Sequence, residues 1–135
     1  VLNECNKETA MADALTGCTV LNAVWTVPDN MLDEFMALAD AHRQYMEAKS
    51  HQHGENELIN FFWASGSIYE DQIDMDSPTK DGHRFIVIEV YRNEIGLRHH
   101  WSESTDFNPV LEDMIGRGLL VEFHNNLKVL NSLWD

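Results

Sequence analysis

The sequence predicts an α+β domain whose elements follow the order β-α-β-β-α-β. Three observations carry that expectation. Runs rich in β-branched and aromatic residues occur at 17–27, 58–70, 83–92 and 118–126. Between them lie a helical repeat over 30–49 and two shorter helical pieces between Glu94 and Arg117. Turn-forming residues separate the runs: Pro28-Asp29-Asn30, the Asp-, Pro- and Gly-containing stretch 71–82, and Gly116 with Gly118.

Residues 1–16 are polar and weakly patterned, and they read as an arm preceding a single domain over 17–135. The first strand, GCTVLNAVWTV, stops where Pro28 disfavours further pairing. In the first helix Leu32, Phe35, Met36, Ala39, His42 and Met46 share one face, and Asp29 or Asn30 is placed to cap its first turn. The polar segment 49–57 leads to strand two, LINFFWASGSIYE, with a kink expected near Ser65-Gly66. After the hairpin connection comes HRFIVIEVYR as strand three. Asn93 then caps a helix from Glu94 to about Trp101, and a second piece runs from Phe107 to Arg117 before strand four. This order is the ferredoxin-like split arrangement, an antiparallel sheet with its helices on one face.

The charge balance narrows the partners. With 23 acidic against 9 basic residues the formal charge is −14, and the Lys and Arg residues are scattered singly. Such a surface repels phosphate backbones, so no nucleic-acid partner is expected. No apolar run approaches the ~20 residues of a membrane-spanning helix, and a soluble chain with no membrane partner is expected. The chain begins at Val1 rather than Met, which fits removal of a leading segment or trimming, and no localisation is assigned. Cys5 and Cys18 could pair, but two cysteines make no framework, and reduced thiols are expected.

A single sheet with helices on one face should alternate apolar and polar residues. These strands do not: Val20, Leu21, Ala23, Val24 and Trp25, then Phe61, Phe62 and Trp63, then Phe85 to Ile88, place apolar groups on both faces. The second face must be covered, and the same face of another copy is the simplest cover, giving a homodimer through the sheet faces. Residues 20–25, 58–64 and 85–91 contain Glu89 as their one acidic group, so Glu89 is expected as a carboxylate within the dimer face.

The stretch FIVIEVYRNEIGLRHHWSESTDF, 85–107, resembles the signature region of the antibiotic-biosynthesis-monooxygenase-like, dimeric α/β-barrel families. An apolar strand ends in Glu89-x-Tyr91. Asn93, Glu94, Leu97 and His100 follow, and Ser104 and Phe107 close the motif. The resemblance implies a dimeric α/β barrel with one pocket per subunit between sheet and helices. It also implies cofactor-independent oxygenase activity on small aromatic or quinol-like substrates, or a related lyase or isomerase activity. Haem-degrading relatives use a strand-one Asn, a Trp on the second helix and an axial His. Asn22 and Trp101 match the first two, but the axial position falls near Leu111, with no His between Phe107 and Arg117, so haem is not expected.

His100 is the leading candidate for a catalytic base, since an imidazole near neutral pKa can take a proton from a phenol or enol. Asn22 interrupts an apolar strand and is the candidate to polarise a substrate oxygen. Trp101, Glu89, Tyr91, Trp25 and His42 are candidates to line the pocket, with Trp63 beside them. The tryptophans also read as core or dimer interface, Glu89 as the partner of an Arg or a helix N-terminus, and His42 as a satisfied core histidine. His99 is expected to face solvent. His51, His53, Glu55 and Glu57 have a metal-like composition, but a polar loop does not preset their geometry. The acidic hairpin around Asp71, Asp74 and Asp76 lacks the calcium-loop Gly and Glu positions. The sequence therefore nominates no metal site and no cofactor. Beside the enzyme stands an alternative, a non-enzymatic dimeric barrel that binds a small apolar ligand or serves a stress or regulatory role. It expects an absent or wholly apolar cavity, with His100 satisfied by backbone away from it.

Overall fold

The structure is a computed structural model that describes residues 14–134. Strand β1 (Thr19–Val27) leads through a short 3-10 turn into α1 (Leu32–Lys49). Strands β2 (Leu58–Tyr69) and β3 (Thr79–Tyr91) form a hairpin. Helices α2 (Glu94–Glu103) and α3 (Asn108–Gly116) follow, and β4 (Leu120–Lys128) completes the sheet. The strands lie in the order β2-β3-β1-β4, and every neighbouring pair is antiparallel. Each helical crossover thus joins two strands of the same direction separated by a third, the ferredoxin-like topology.

Strict alternation in β1 and β3 sets the two faces of the sheet. Leu21, Ala23, Trp25 and Val27 of β1 are buried toward the helices, and Phe85, Val87, Glu89 and Tyr91 of β3 share that side. Phe35 from α1 and Met114 from α3, both wholly buried, close the core against them. Trp25, Phe35 and Phe85 meet as tilted ring pairs with centroids 5.2 and 4.8 Å apart, separations at which aromatic pairs add to the burial energy. On the reverse face, Val24, Ile86 and Ile88 are half-buried and Phe62 is exposed. At one end of that face Leu15, Cys18 and Val129 pack on Val20, Ile88 and Val90.

Several local expectations need correction. Met36 does not join the buried stripe of α1 and is 51% exposed. Neither Asp29 nor Asn30 caps α1, which starts after Met31 without a side-chain cap. Asp29 instead accepts from the Gly82 amide at 3.1 Å and meets His83 Nδ1 at 3.3 Å, pinning the start of α1 to β3. The hairpin connection is shorter than 71–82, because β3 begins at Thr79. The ladder crosses Gly82 by a register shift opposite Ser67 and Ile68, where Gly82 at φ +94° takes the left-handed conformation a bulge requires. The kink thus falls at that bulge, while Gly66 stays in register with Arg84. Asn93 does cap α2, its Oδ1 accepting from the Ile95 amide at 2.8 Å. Of the expected arm, residues 1–13 lie outside the described residues. Cys18 is disulfide-bonded rather than a reduced thiol, and Cys5, the only other cysteine in the sequence, lies outside the described residues.

Candidate functional site

Three elements bring titratable groups to one point between the sheet and the helices. Parity along β3 turns Glu89 toward α1, on the side of Phe85 and Val87. This overturns the expectation that Glu89 sits in the sheet face left open by the helices. On α1, His42 lies one turn beyond the buried Ala39 and one turn before the buried Met46, so it points at the sheet. On α2, Leu97 and His100 are buried three residues apart. The approach of α2 to the sheet depends on Gly96: a Cβ there would stand 2.9 Å from Tyr91 Cδ1 and 3.0 Å from the Asn56 carbonyl oxygen. A side chain at that position would push α2, and His100 with it, away from Glu89.

The three groups line a cavity with about 70 Å³ of room for water-sized spheres. On a scale where one water needs ~10–15 Å³, that admits a few waters or a single ring. Its walls are largely aromatic, with Trp25, Trp63, Trp101, Phe107 and Phe123 surrounding the polar cluster, and Ser104 and Asn108 also border it. His42 Nε2 lies 3.7 Å from Glu89 Oε2, and His100 Nε2 lies 3.5 Å from Glu89 Oε1. Tyr91 donates its hydroxyl to Glu89 Oε1 at 2.6 Å, the only hydrogen bond to this carboxylate among the described residues. Tyr91 itself stands behind the cluster, on a second cavity of about 200 Å³ that it shares with His100.

Burial decides the charge of the cluster. It raises Glu89 to about 7, opposed by the Tyr91 hydrogen bond. It lowers His42 to about 4, with His100 adding to the effect, and lowers His100 to about 4, with His99 adding to it. Burial also raises Tyr91, so its hydroxyl stays a donor. Near neutral pH both imidazoles are therefore uncharged, each with a nitrogen lone pair, beside a carboxyl group poised to gain or lose its proton. Two imidazole nitrogens and a carboxylate oxygen can serve as a proton acceptor or as metal ligands. Among the described residues, three buried polar atoms of the cavity lining lack a hydrogen-bond partner: His42 Nδ1, Trp25 Nε1 and Trp63 Nε1.

The other sequence-nominated residues divide. Trp25, Trp101, Glu89, His42 and His100 border the cavity, whereas Tyr91 reaches it through Glu89. Asn22 does not: it belongs to the reverse face of β1 and donates its side-chain amide to the Val87 carbonyl at 3.3 Å. His100 and Asn22 are thus not brought together. Trp101 is 38% exposed and donates its indole N–H to Asn125 Oδ1. His99 is half-buried rather than solvent-facing, with its ring 5.3 Å from that of His51. In the 51–57 loop, Glu57 turns inward to an ion pair with Arg92, away from any joint site with His51 and His53. The carboxylates of Asp71 and Asp74 accept from amides of their own loop, at Ile73 and Asp76. Trp63 lines the cavity beside Trp25 and Trp101, and Leu38, Phe107, Leu111 and Phe123 complete its wall with no local sequence signal that marks them as pocket residues.

Neither the protein-family models nor the curated proteins contain a match to this chain.

The raised Glu89 pKa has a consequence for stability. The folded chain keeps the Glu89 proton up to about 7, while the unfolded chain releases it near 4.5. The stabilisation is therefore complete below 4.5 and is lost as pH rises through 7, by roughly 3 kcal/mol at ~1.4 kcal/mol per unit. Glu89→Gln keeps the shape without the titration. With a chelator present, the melting temperature of Glu89→Gln relative to wild type should climb between pH 4.5 and 7 and level off above. The lowered His42 and His100 act on both proteins alike, weakening each as pH falls from 6.5 toward 4. A difference that stays flat over this range, or falls, contradicts a carboxyl held protonated by burial.

Proposed function

We propose that the protein is a small-molecule enzyme, oxygenase-like, that deprotonates an aromatic or quinol-like substrate at the His42–Glu89–His100 cluster. The observation that carries this reading is the cluster itself: a buried carboxyl and two uncharged imidazoles in a cavity otherwise walled by aromatic rings. Rings of the wall suit a flat apolar substrate. The unpartnered indole N–H groups of Trp25 and Trp63 favour one that carries an acceptor oxygen.

In the metal-free protein, His100 Nε2 or the ionised Glu89 takes the proton from a substrate hydroxyl or activated methylene. The electron pair of the broken bond stays on the substrate as a phenolate or carbanion, the electron-rich species that reacts with dioxygen. Oxygenation of an activated methylene balances as CH2 + O2 → C=O + H2O, with dioxygen as the oxidant. The non-enzymatic alternative expects His100 away from the cavity, and it lies on it, 3.5 Å from Glu89.

We further propose that the chain acts as a homodimer through the reverse face of the sheet. Support comes from the half-buried Val24, Ile86 and Ile88 and the 43% exposed Phe62 on that face. Placed face to face, two such sheets remove these groups from water, and the acidic residues of the α1 surface and the 70–78 hairpin stay outside. Sedimentation of wild type should give a dimer, and Ile88→Glu, with its circular dichroism unchanged, should give a monomer. A wild type that sediments as a monomer removes the dimer.

Turnover is tested by oxygen consumption with an anthrone and a hydroquinone as probes. Wild type should consume oxygen with at least one of them. His100→Ala and Glu89→Gln should each lose ~10²- to 10⁴-fold of that rate, the range typical of a general base. Full activity in both variants, or no binding of either probe in the cavity by tryptophan fluorescence, overturns the reading.

A further inference from the structure

We infer that His42, Glu89 and His100 form a binding site for one divalent first-row transition-metal ion. The resemblance in residues 85–107 implies an oxygenase that works without a cofactor, and the geometry of this cluster departs from that. The inference rests on the proposed function only in treating the cavity as a reaction chamber.

The donor atoms converge without satisfying one another. One ligand atom from each residue lies within 4.8 Å of the other two. The His–Glu separations of 3.7 and 3.5 Å are not hydrogen bonds, since neither imidazole donates to the carboxylate. Two donors each ~2.1 Å from a shared ion stand roughly 3.0–3.4 Å apart in octahedral or tetrahedral arrangement. The two His–Glu separations, made to different oxygens of the carboxylate, exceed that by a few tenths of an ångström, and the widest donor separation is at most 4.8 Å, so side-chain shifts of about an ångström bring the three onto one ion. A cation at that point also supplies what the buried carboxylate lacks, a compensating charge.

The chemistry of the donor set and its surroundings points the same way. Two imidazoles and one carboxylate on one side of an ion leave positions open to other ligands, the pattern of catalytic zinc and of non-haem iron rather than of closed structural sites. Here the open side is the aromatic cavity, where a substrate oxygen could become the next ligand. Tyr91 holds Glu89 Oε1 at 2.6 Å, the outer-shell hydrogen bond that fixes a ligating carboxylate. The three ligands come from α1, β3 and α2, so the ion would tie both flanking helices to the sheet.

The test uses the full chain, stripped with a chelator and titrated with Co(II), then with Zn(II) and Fe(II) under anaerobic conditions. Wild type should bind one ion per chain, with visible Co(II) bands of a nitrogen- and oxygen-ligated site and a raised melting temperature. Each of His42→Ala, His100→Ala and Glu89→Gln should weaken binding by at least 100-fold, and Tyr91→Phe by ~10- to 100-fold. The paired change of His51 and His53 to Ala should leave it unchanged. Circular dichroism checks each variant, and His100→Asn serves where His100→Ala does not fold. The site is overturned if the stripped wild type takes up none of the three ions. It is equally overturned if uptake survives the loss of both His42 and His100, or vanishes with His51 and His53. Fluorescence binding of the anthrone to the stripped protein separates the two proposals. Probe binding without metal uptake ends the metal site and keeps the cavity reading, and metal uptake without probe binding does the reverse.

Discussion

Glu89 is 1% exposed at the centre of a four-stranded sheet, and the organisation of the site follows from what that burial demands. A carboxyl group removed from water must be protonated, hydrogen-bonded or paired with positive charge, since an isolated buried charge is far too costly. One hydrogen bond, from Tyr91, meets part of the demand. Protonation can meet the rest, which is why burial holds this group near 7. A cation between Glu89 and the two imidazoles meets it more completely. A carboxyl placed so expensively is also a recurrent mark of sites where protons or ions are handled.

The surrounding fold can be read as support for that one position. Alternation along β3 points Glu89 inward, and pairing of Glu89 with Leu21 on β1 and Phe61 on β2 fixes its height in the sheet. Gly96 lets α2 close on Tyr91 and Asn56, and the Asn93 cap sets where that helix begins. The aromatic core of Trp25, Phe35 and Phe85 fixes α1 against the sheet one turn or more before His42. Each of these contacts is ordinary packing, and together they place three donor atoms at a common point.

Much of the fold was legible in the sequence because its signals are local. Turn residues, β-branched runs and a helical repeat gave the element order and the Asn93 cap directly. Where a long-range contact competed, the local reading lost: Asp29 is drawn from the α1 cap to the Gly82 amide, and Gly82 extends β3 by accepting a bulge. The site was legible residue by residue but not as a cluster. His42 stood on the apolar stripe of α1, and Glu89 shares parity with Phe85, Val87 and Tyr91, a pattern that could have shown its inward direction. Nothing local says that His42, 47 positions before Glu89, meets it and His100, because that meeting is made by the crossover of α1 over the sheet. Asn22 shows the same parity argument in reverse, since its neighbours Leu21 and Ala23 are buried on the helix side and Asn22 must face the other.

Whether those three side chains share one ion is tested most directly by a crystal structure of the Co(II)-loaded chain. The account predicts a single strong anomalous peak at bonding distance from His42 Nε2, His100 Nε2 and a Glu89 oxygen. A peak confined to the loop bearing His51 and His53, or none near Glu89, would contradict it.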